Sequence, residues 1–201
     1  MEVYINAKEL LAVAKFADNK KCEREKLQCV MVESDEQNNY ILTATDSFKM
    51  IEVNRKFVNA IGKPGKCAIP IKDIKDNIKS SDSFAHVVCE DEEYAIIEVY
   101  KGKGAKRELR TSFACKPFEV GNMYGTCKDL MRDWNSDIKQ DTTCMYMDTT
   151  YLGDICNAVS AMYGKNKGIE IGFADPHKPI YFQAIETPGN YCRGILMPLR
   201  K

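Results

Sequence analysis

The sequence predicts an α+β protein, with helices lying on one face of antiparallel sheets. Three observations point there. The order strand, helix, strand, strand, strand is written twice within residues 1–113, and it returns once more over 144–197. The strands are joined by turns of a few residues, which suits antiparallel neighbours. Each helix carries a single apolar stripe, so it needs a sheet and a sister helix to cover it.

Residues 2–6 alternate and read as a strand. In 7–19, Leu10, Val13, Ala14 and Ala17 recur at helical spacing, with Lys8, Lys15 and Asn19 on another face. A charged loop at 20–26 leads to strands at 27–33, 40–45 and 49–55, the last two separated by Asp46-Ser47. Gly62-Lys63-Pro64-Gly65 breaks the chain. The second copy starts with a strand at 66–69. Pro70 then opens a helix expected over 71–80, where its missing N–H costs nothing. Ile71, Ile74 and Ile78 form that helix's apolar face, and Lys72, Lys75 and Lys79 share another. Strands follow at 84–89, 94–100 and 107–113.

Residues 116–142 interrupt the rhythm: 117–121 reads as a connector, and 126–137 as a short helix burying Leu130, Met131 and Trp134. The third copy has a strand at 144–147 and a helix capped by Thr149 or Thr150. That helix buries Leu152, Ile155, Val159 and Met162 and stops at Gly164. Strands at 169–174, 180–185 and 191–197 complete it. Before its last two residues, Arg200 and Lys201, the sequence runs through Ile195, Leu196, Met197, Pro198 and Leu199, an apolar stretch that needs a cover.

Composition removes several function classes. Across 201 residues, Lys plus Arg and Asp plus Glu number 29 each, so any nucleic-acid reading rests on where the charges sit. The nine cysteines are odd in number and form no C-x-x-C pair, which reads as reduced core residues of a cytoplasmic protein rather than as a disulfide frame or zinc site. No run reaches membrane-spanning length, and residues 1–6 lack the basic and apolar regions of a secretory signal. Asp133, Asp137 and Asp141 fall at i, i+4, i+8 but read as a solvated helix face. His86 and His177 have no nucleophile in a recognisable context, and Lys63-Pro64-Gly65-Lys66 lacks phosphate-loop glycine spacing. The expectation is a non-enzyme without a cofactor or metal.

Three stretches carry a family resemblance. Leu42-Thr43-Ala44-Thr45-Asp46-Ser47-Phe48-Lys49-Met50 resembles the strand-turn-strand with a central Thr-Asp of the bacterial DNA polymerase III beta-clamp family, the DNA sliding clamps. Cys67-Ala68-Ile69-Pro70-Ile71-Lys72-Asp73-Ile74 resembles the opening of the second half of a clamp domain. Ile195-Leu196-Met197-Pro198-Leu199-Arg200 resembles the family's C-terminal tail.

The resemblance implies a DNA-clamp fold of repeated βαβββ half-units. Residues 1–116 would form one complete clamp-type domain. Residues 117–201 would form a connector plus a truncated second domain whose clear half-unit spans about 144–201. A bacterial clamp subunit has six half-units; this chain shows three, and 121–143 is too short for a fourth. The implied function is a polymerase processivity factor, tethering a replication protein to DNA through an apolar peptide groove. The alternative is a clamp-fold interaction module that does not encircle DNA. The implied partners are double-stranded DNA bound without sequence preference, a polymerase or other clamp-binding replication protein, a clamp loader and further copies of the chain, with no membrane. The matching groove positions are Thr45, Ser47, Lys49, Met50, Phe118, Val120, Met197, Pro198, Leu199 and Arg200. The implied DNA-facing positions are Lys8, Lys15, Lys72, Lys75, Lys79, Lys165 and Lys167.

Overall fold

The computed structural model describes residues 1–17, 27–37, 39–55, 62–90, 93–102, 106–119, 124–125, 129, 147–164, 168–172, 179–187 and 190–197. The first unit contains β1 (Glu2–Asn6), α1 (Ala7–Ala17), β2 (Cys29–Ser34), β3 (Tyr40–Thr45) and β4 (Lys49–Arg55). The second contains β5 (Gly65–Pro70), α2 (Ile71–Asn77), β6 (Phe84–Cys89), β7 (Ala95–Lys101) and β8 (Glu108–Cys115). The third contains α3 (Thr149–Tyr163), β9 (Glu170–Gly172), β10 (Ile180–Thr187) and β11 (Asn190–Leu196). The expected strand at 144–147 and helix at 126–137 lie outside the described residues, except Met147, which is not in a strand, and Asp129.

The strands form two antiparallel sheets, so the α+β class expected from the sequence is the one observed. One has four strands in the order β1-β6-β7-β8; the other has seven, β5-β2-β3-β4-β11-β10-β9. The first strand of each complete unit thus joins the sheet of the other unit. The large sheet runs without a break from the first unit into the third, because β4 and β11 pair over six residues, from Tyr191 opposite Asn54 to Leu196 opposite Lys49.

α1 sits between α2 and α3 and contacts β2, β3 and β4. Ala7, Leu10, Ala12, Val13, Ala14, Phe16 and Ala17 are all buried, so the helix is apolar on most of its circumference. Its one buried charge is satisfied. Glu9 accepts from Arg55 Nε at 2.9 Å and from the Tyr40 hydroxyl at 2.8 Å, and the Arg55 guanidinium lies 4.7 Å from the centre of the Tyr163 ring. A buried carboxylate persists only with such partners. Here they join α1, β3, β4 and α3.

The second helix is shorter than its apolar spacing predicts. α2 ends at Asn77, and Ile78 is already extended, with φ −106° and ψ 134°. Asp82 explains the stop. Its carboxylate accepts from the Lys79 backbone N–H at 2.7 Å and from Arg110 Nε and Nη2, each at 2.7 Å, while Arg110 also caps the Asn77 carbonyl. Lys79 is therefore in the following turn, not on the helix with Lys72 and Lys75. In α3 the N-cap is Asp148, whose Oδ1 accepts from the Thr150 N–H at 2.7 Å, rather than either threonine. Gly164, at φ 84°, ends that helix as expected.

The β4–β11 seam depends on a glycine. A Cβ on Gly194 would lie 2.0 Å from the Met50 carbonyl oxygen and 2.4 Å from the Phe182 ring. Its absence lets Phe182, 1% exposed, lie across the strand.

Candidate partner groove and basic helical face

The Thr-Asp turn is built by hydrogen bonds that its residue types require. Thr45 Oγ1 donates to the Lys49 carbonyl at 2.9 Å and accepts from the Ser47 N–H at 3.2 Å. Buried Asp46 accepts from the N–H groups of Phe48 (2.9 Å) and Lys49 (3.0 Å). Ser47 takes a left-handed conformation, φ 79°, which a small polar residue tolerates better than a branched one. Phe48 is consequently left at the turn tip, 48% exposed.

On the sheet face away from the helices, Thr45, Met50, Ile195 and Tyr181 follow one another across β3, β4, β11 and β10. Met50, Ile195 and Tyr181 form one apolar cluster. A second cluster on the same face contains Cys29, Met31, Ala68 and Tyr124, with Phe118 packed against it. The Phe118 N–H donates to the Ala68 carbonyl at 3.0 Å, and the Tyr124 hydroxyl donates to the Cys29 carbonyl at 3.1 Å, so the connector is tied to β5 and β2. Burial pushes the Cys29 thiol up to about 11, against the lowering effect of the Tyr124 hydroxyl, so it is an uncharged packing group.

The turn and the final strand thus meet on one sheet face, and the connector packs on the same face in a separate cluster. Met197 donates its N–H to the Phe48 carbonyl at 2.9 Å, linking the tail to the turn tip. Among the described residues, Phe48 and Met197 (37% exposed) are its exposed apolar side chains, whereas Met50 is 1% exposed. Val120, Pro198, Leu199 and Arg200 lie outside the described residues. Phe48, Tyr181 and Ile195 belong to this surface although the sequence did not single them out as site residues. Phe48 was legible in principle, since an aromatic side chain within a two-strand turn has nowhere to bury.

Lys49 is separated from the other groove candidates. Alternation along β4 sends its side chain to the helix side, where it is buried against the rings of Phe16 (5.4 Å) and Tyr151 (5.1 Å) and ion-paired with Asp154. It connects β4 to α3 and does not face the groove.

The opposite surface is the helical layer. Lys8 and Lys15 on α1, Lys72 and Lys75 on α2, and Lys79 beyond α2 are all exposed. Asp73 and Asp76 stand among the α2 lysines, and α3 has neither Lys nor Arg within 149–163. Lys165 and Lys167 lie outside the described residues. Among the described residues no helix is long and apolar enough to cross a membrane.

No protein-family model and no curated protein matches this sequence. Solved structures do, and they define the class of fold: that of the DNA sliding clamps. The beta subunit of DNA polymerase from Streptococcus pyogenes superposes with a TM-score of 0.64 at 14% identity, covering all of this chain and 66% of that one. The DNA polymerase III beta subunit of Thermotoga maritima gives 0.65 at 13% identity, with 66% of its length matched. The Helicobacter pylori beta clamp, solved with carprofen, gives 0.66 at 10% identity, with 67% of its length matched. The chain therefore has the fold of a clamp subunit over about two thirds of such a subunit's length.

Proposed function

We propose that this protein is a non-enzymatic, sliding-clamp-type processivity factor that holds a replication protein on double-stranded DNA. The observation that carries this reading is the opposition of two surfaces. Five exposed lysines lie on or beside the helical layer, while the Thr45–Met50 turn with the Met197 end, and separately the Phe118 connector, pack on the far side of the sheet. Lysines that face phosphates bind without sequence preference and with strong salt dependence. An apolar surface with a few fixed polar groups accepts a short linear segment of a polymerase, another replication protein or a clamp loader. In this reading 1–116 is a complete clamp-type domain, 117–201 supplies the connector and a shortened second one, and several copies assemble in the cytoplasm.

The test is retention on DNA. A protein that encircles DNA stays on nicked circular plasmid and slides off the same plasmid once it is cut. Equal loss from both forms would refute encirclement. A second reading, a clamp-fold interaction module that does not surround DNA, is favoured by the absence of basic residues within α3 and by Asp73 and Asp76 beside the α2 lysines. It predicts binding of a replication-protein peptide with no topology-dependent retention.

A further inference from the structure

Three cysteines converge where the two sheets meet. Cys67 on β5, Cys89 at the end of β6 and Cys115 at the end of β8 are buried thiols of one apolar core. The start of the chain brings two of them together. On one side Met1 is laced to Cys89: the Met1 ammonium donates to the Cys89 carbonyl, and the Cys89 N–H donates to the Met1 carbonyl at 2.8 Å. On the other side Glu2 and Lys63 exchange backbone hydrogen bonds of 3.1 Å, and a Cβ on Gly65, the first residue of β5, would lie 2.9 Å from the Met1 Cβ. β5 of the large sheet and the end of β6 of the small one are thereby held together around Met1. Across this junction the thiols of Cys67 and Cys89 hydrogen-bond to each other.

We infer that Cys67 and Cys89 are an oxidation site: a peroxide converts them to a reversible disulfide that staples the seven-stranded sheet to the four-stranded one. Cys115 lies within electrostatic reach of both thiols but is the wrong partner for Cys89. Cys89 and Cys115 both oppose Ala95, from either side of β7. Two strand spacings, roughly 9–10 Å, separate their backbones, too far for a disulfide without backbone movement.

The chemistry needs only a peroxide as co-reactant. One sulfur, as thiolate, attacks a peroxide oxygen; the O–O bond breaks, and the departing hydroxide takes up a proton as water. The sulfenic acid so formed is then attacked by the second sulfur. The S–S bond forms, the S–O bond breaks, and the oxygen leaves as a second water with the remaining thiol proton. Two electrons pass from the thiols to the peroxide. Burial pushes the Cys67 and Cys115 thiols up, Cys115 to about 12, so both stay protonated at neutral pH and the pair reacts slowly, during local opening. Once formed, the bond closes a loop over 67–89 that contains α2 and the Asp82 turn, and it restricts the unfolded chain. This inference does not depend on the DNA reading.

The experiment treats the full chain with dilute hydrogen peroxide, blocks the remaining thiols and maps the tryptic peptides without reduction. Cleavage after Lys66, Lys72, Lys79, Lys101 and Arg110 puts the three cysteines on separate peptides. The expected product joins 67–72 to 80–101. Dithiothreitol should then remove the link and lower Tm by about 5 °C or more. Cys67→Ala should abolish both effects, and Cys115→Ala should keep both. The wild-type map and melt decide the matter even if a variant folds poorly. Peroxide treatment that leaves 67–72 unlinked to 80–101 would overturn the inference. So would a link through Cys115 in its place, or a link whose reduction leaves Tm unchanged.

Discussion

Lys49 on β4 and Asp154 on α3 form an ion pair beneath the seam that joins the first unit to the third. The ammonium is buried between Phe16 and Tyr151, and the carboxylate remains partly open to solvent. Removing the carboxylate therefore harms more than removing the ammonium, because it strands a buried charge. Asp154→Asn should lower stability by about 1–2 kcal/mol, and Lys49→Met by less, since methionine refills the space between the rings. Urea denaturation of both variants checks the order; equal losses would remove the stranded-charge account.

Gly194→Ala is expected to be the more damaging change at the same seam. The new methyl group meets the Met50 carbonyl and the Phe182 ring, so the β4–β11 ladder must move apart. A loss of about 2 kcal/mol or more follows from overpacking of this kind. Faster amide exchange in β4 and β11, with the four-stranded sheet unchanged, would locate the damage.

Asp82 makes stability depend on pH. Burial raises its carboxyl pKa, but the hydrogen bonds from Arg110 and Lys79 and their positive charges outweigh it and hold the group below its ordinary value of 3.8. A depressed folded-state value contributes stability that is present above the unfolded pKa and is lost as pH falls through the folded one. Wild type should therefore lose stability below about pH 4. Asp82→Asn should already be weakened at neutral pH, by about 1–3 kcal/mol, with a flatter acid limb. Thermal melts across that range measure both.

For the helical face, replacing Lys72, Lys75 and Lys79 by Glu should weaken DNA association and flatten its salt dependence. Each lost phosphate contact removes about 0.9 from the slope of log affinity against log salt. Fluorescence anisotropy at several salt concentrations measures it. Because Lys79 sits in the turn after α2, reverting that position alone should restore less than reverting Lys72 or Lys75.

For the groove, deleting residues 197–201 should abolish binding of a clamp-binding peptide while the protein stays folded, as judged by calorimetric titration and circular dichroism. Phe48→Ala should weaken the same peptide by about 1–2 kcal/mol with little loss of stability, since Phe48 is exposed. Met50→Ala is a less clean probe: it should weaken the peptide by about 1–3 kcal/mol but also destabilise the fold, because Met50 is buried. Wild-type protein that binds no such peptide at high concentration would end the groove reading.

Local order left plain marks on the chain. Apolar stripes at helical spacing located α1, α2 and α3, and short polar turns made the sheets antiparallel, because both patterns depend on neighbours a few residues away. Thr45, Asp46 and Ser47 were readable as a tight turn for the same reason. Long-range choices left no such mark. The length of α2 was decided by Asp82 together with Arg110, which Asp82 holds against the Asn77 carbonyl 33 residues away in sequence. The direction of Lys49 was decided by the pairing of β4 with β11, which puts position 49 opposite buried Leu196. The closure of the surface around Met50 was decided by Tyr181 and Ile195, which reach it only once the first and third units share one sheet. Pairing between distant strands depends on which edges are left open after each unit folds. That is a property of the assembled sheets, and only the tertiary structure decides it.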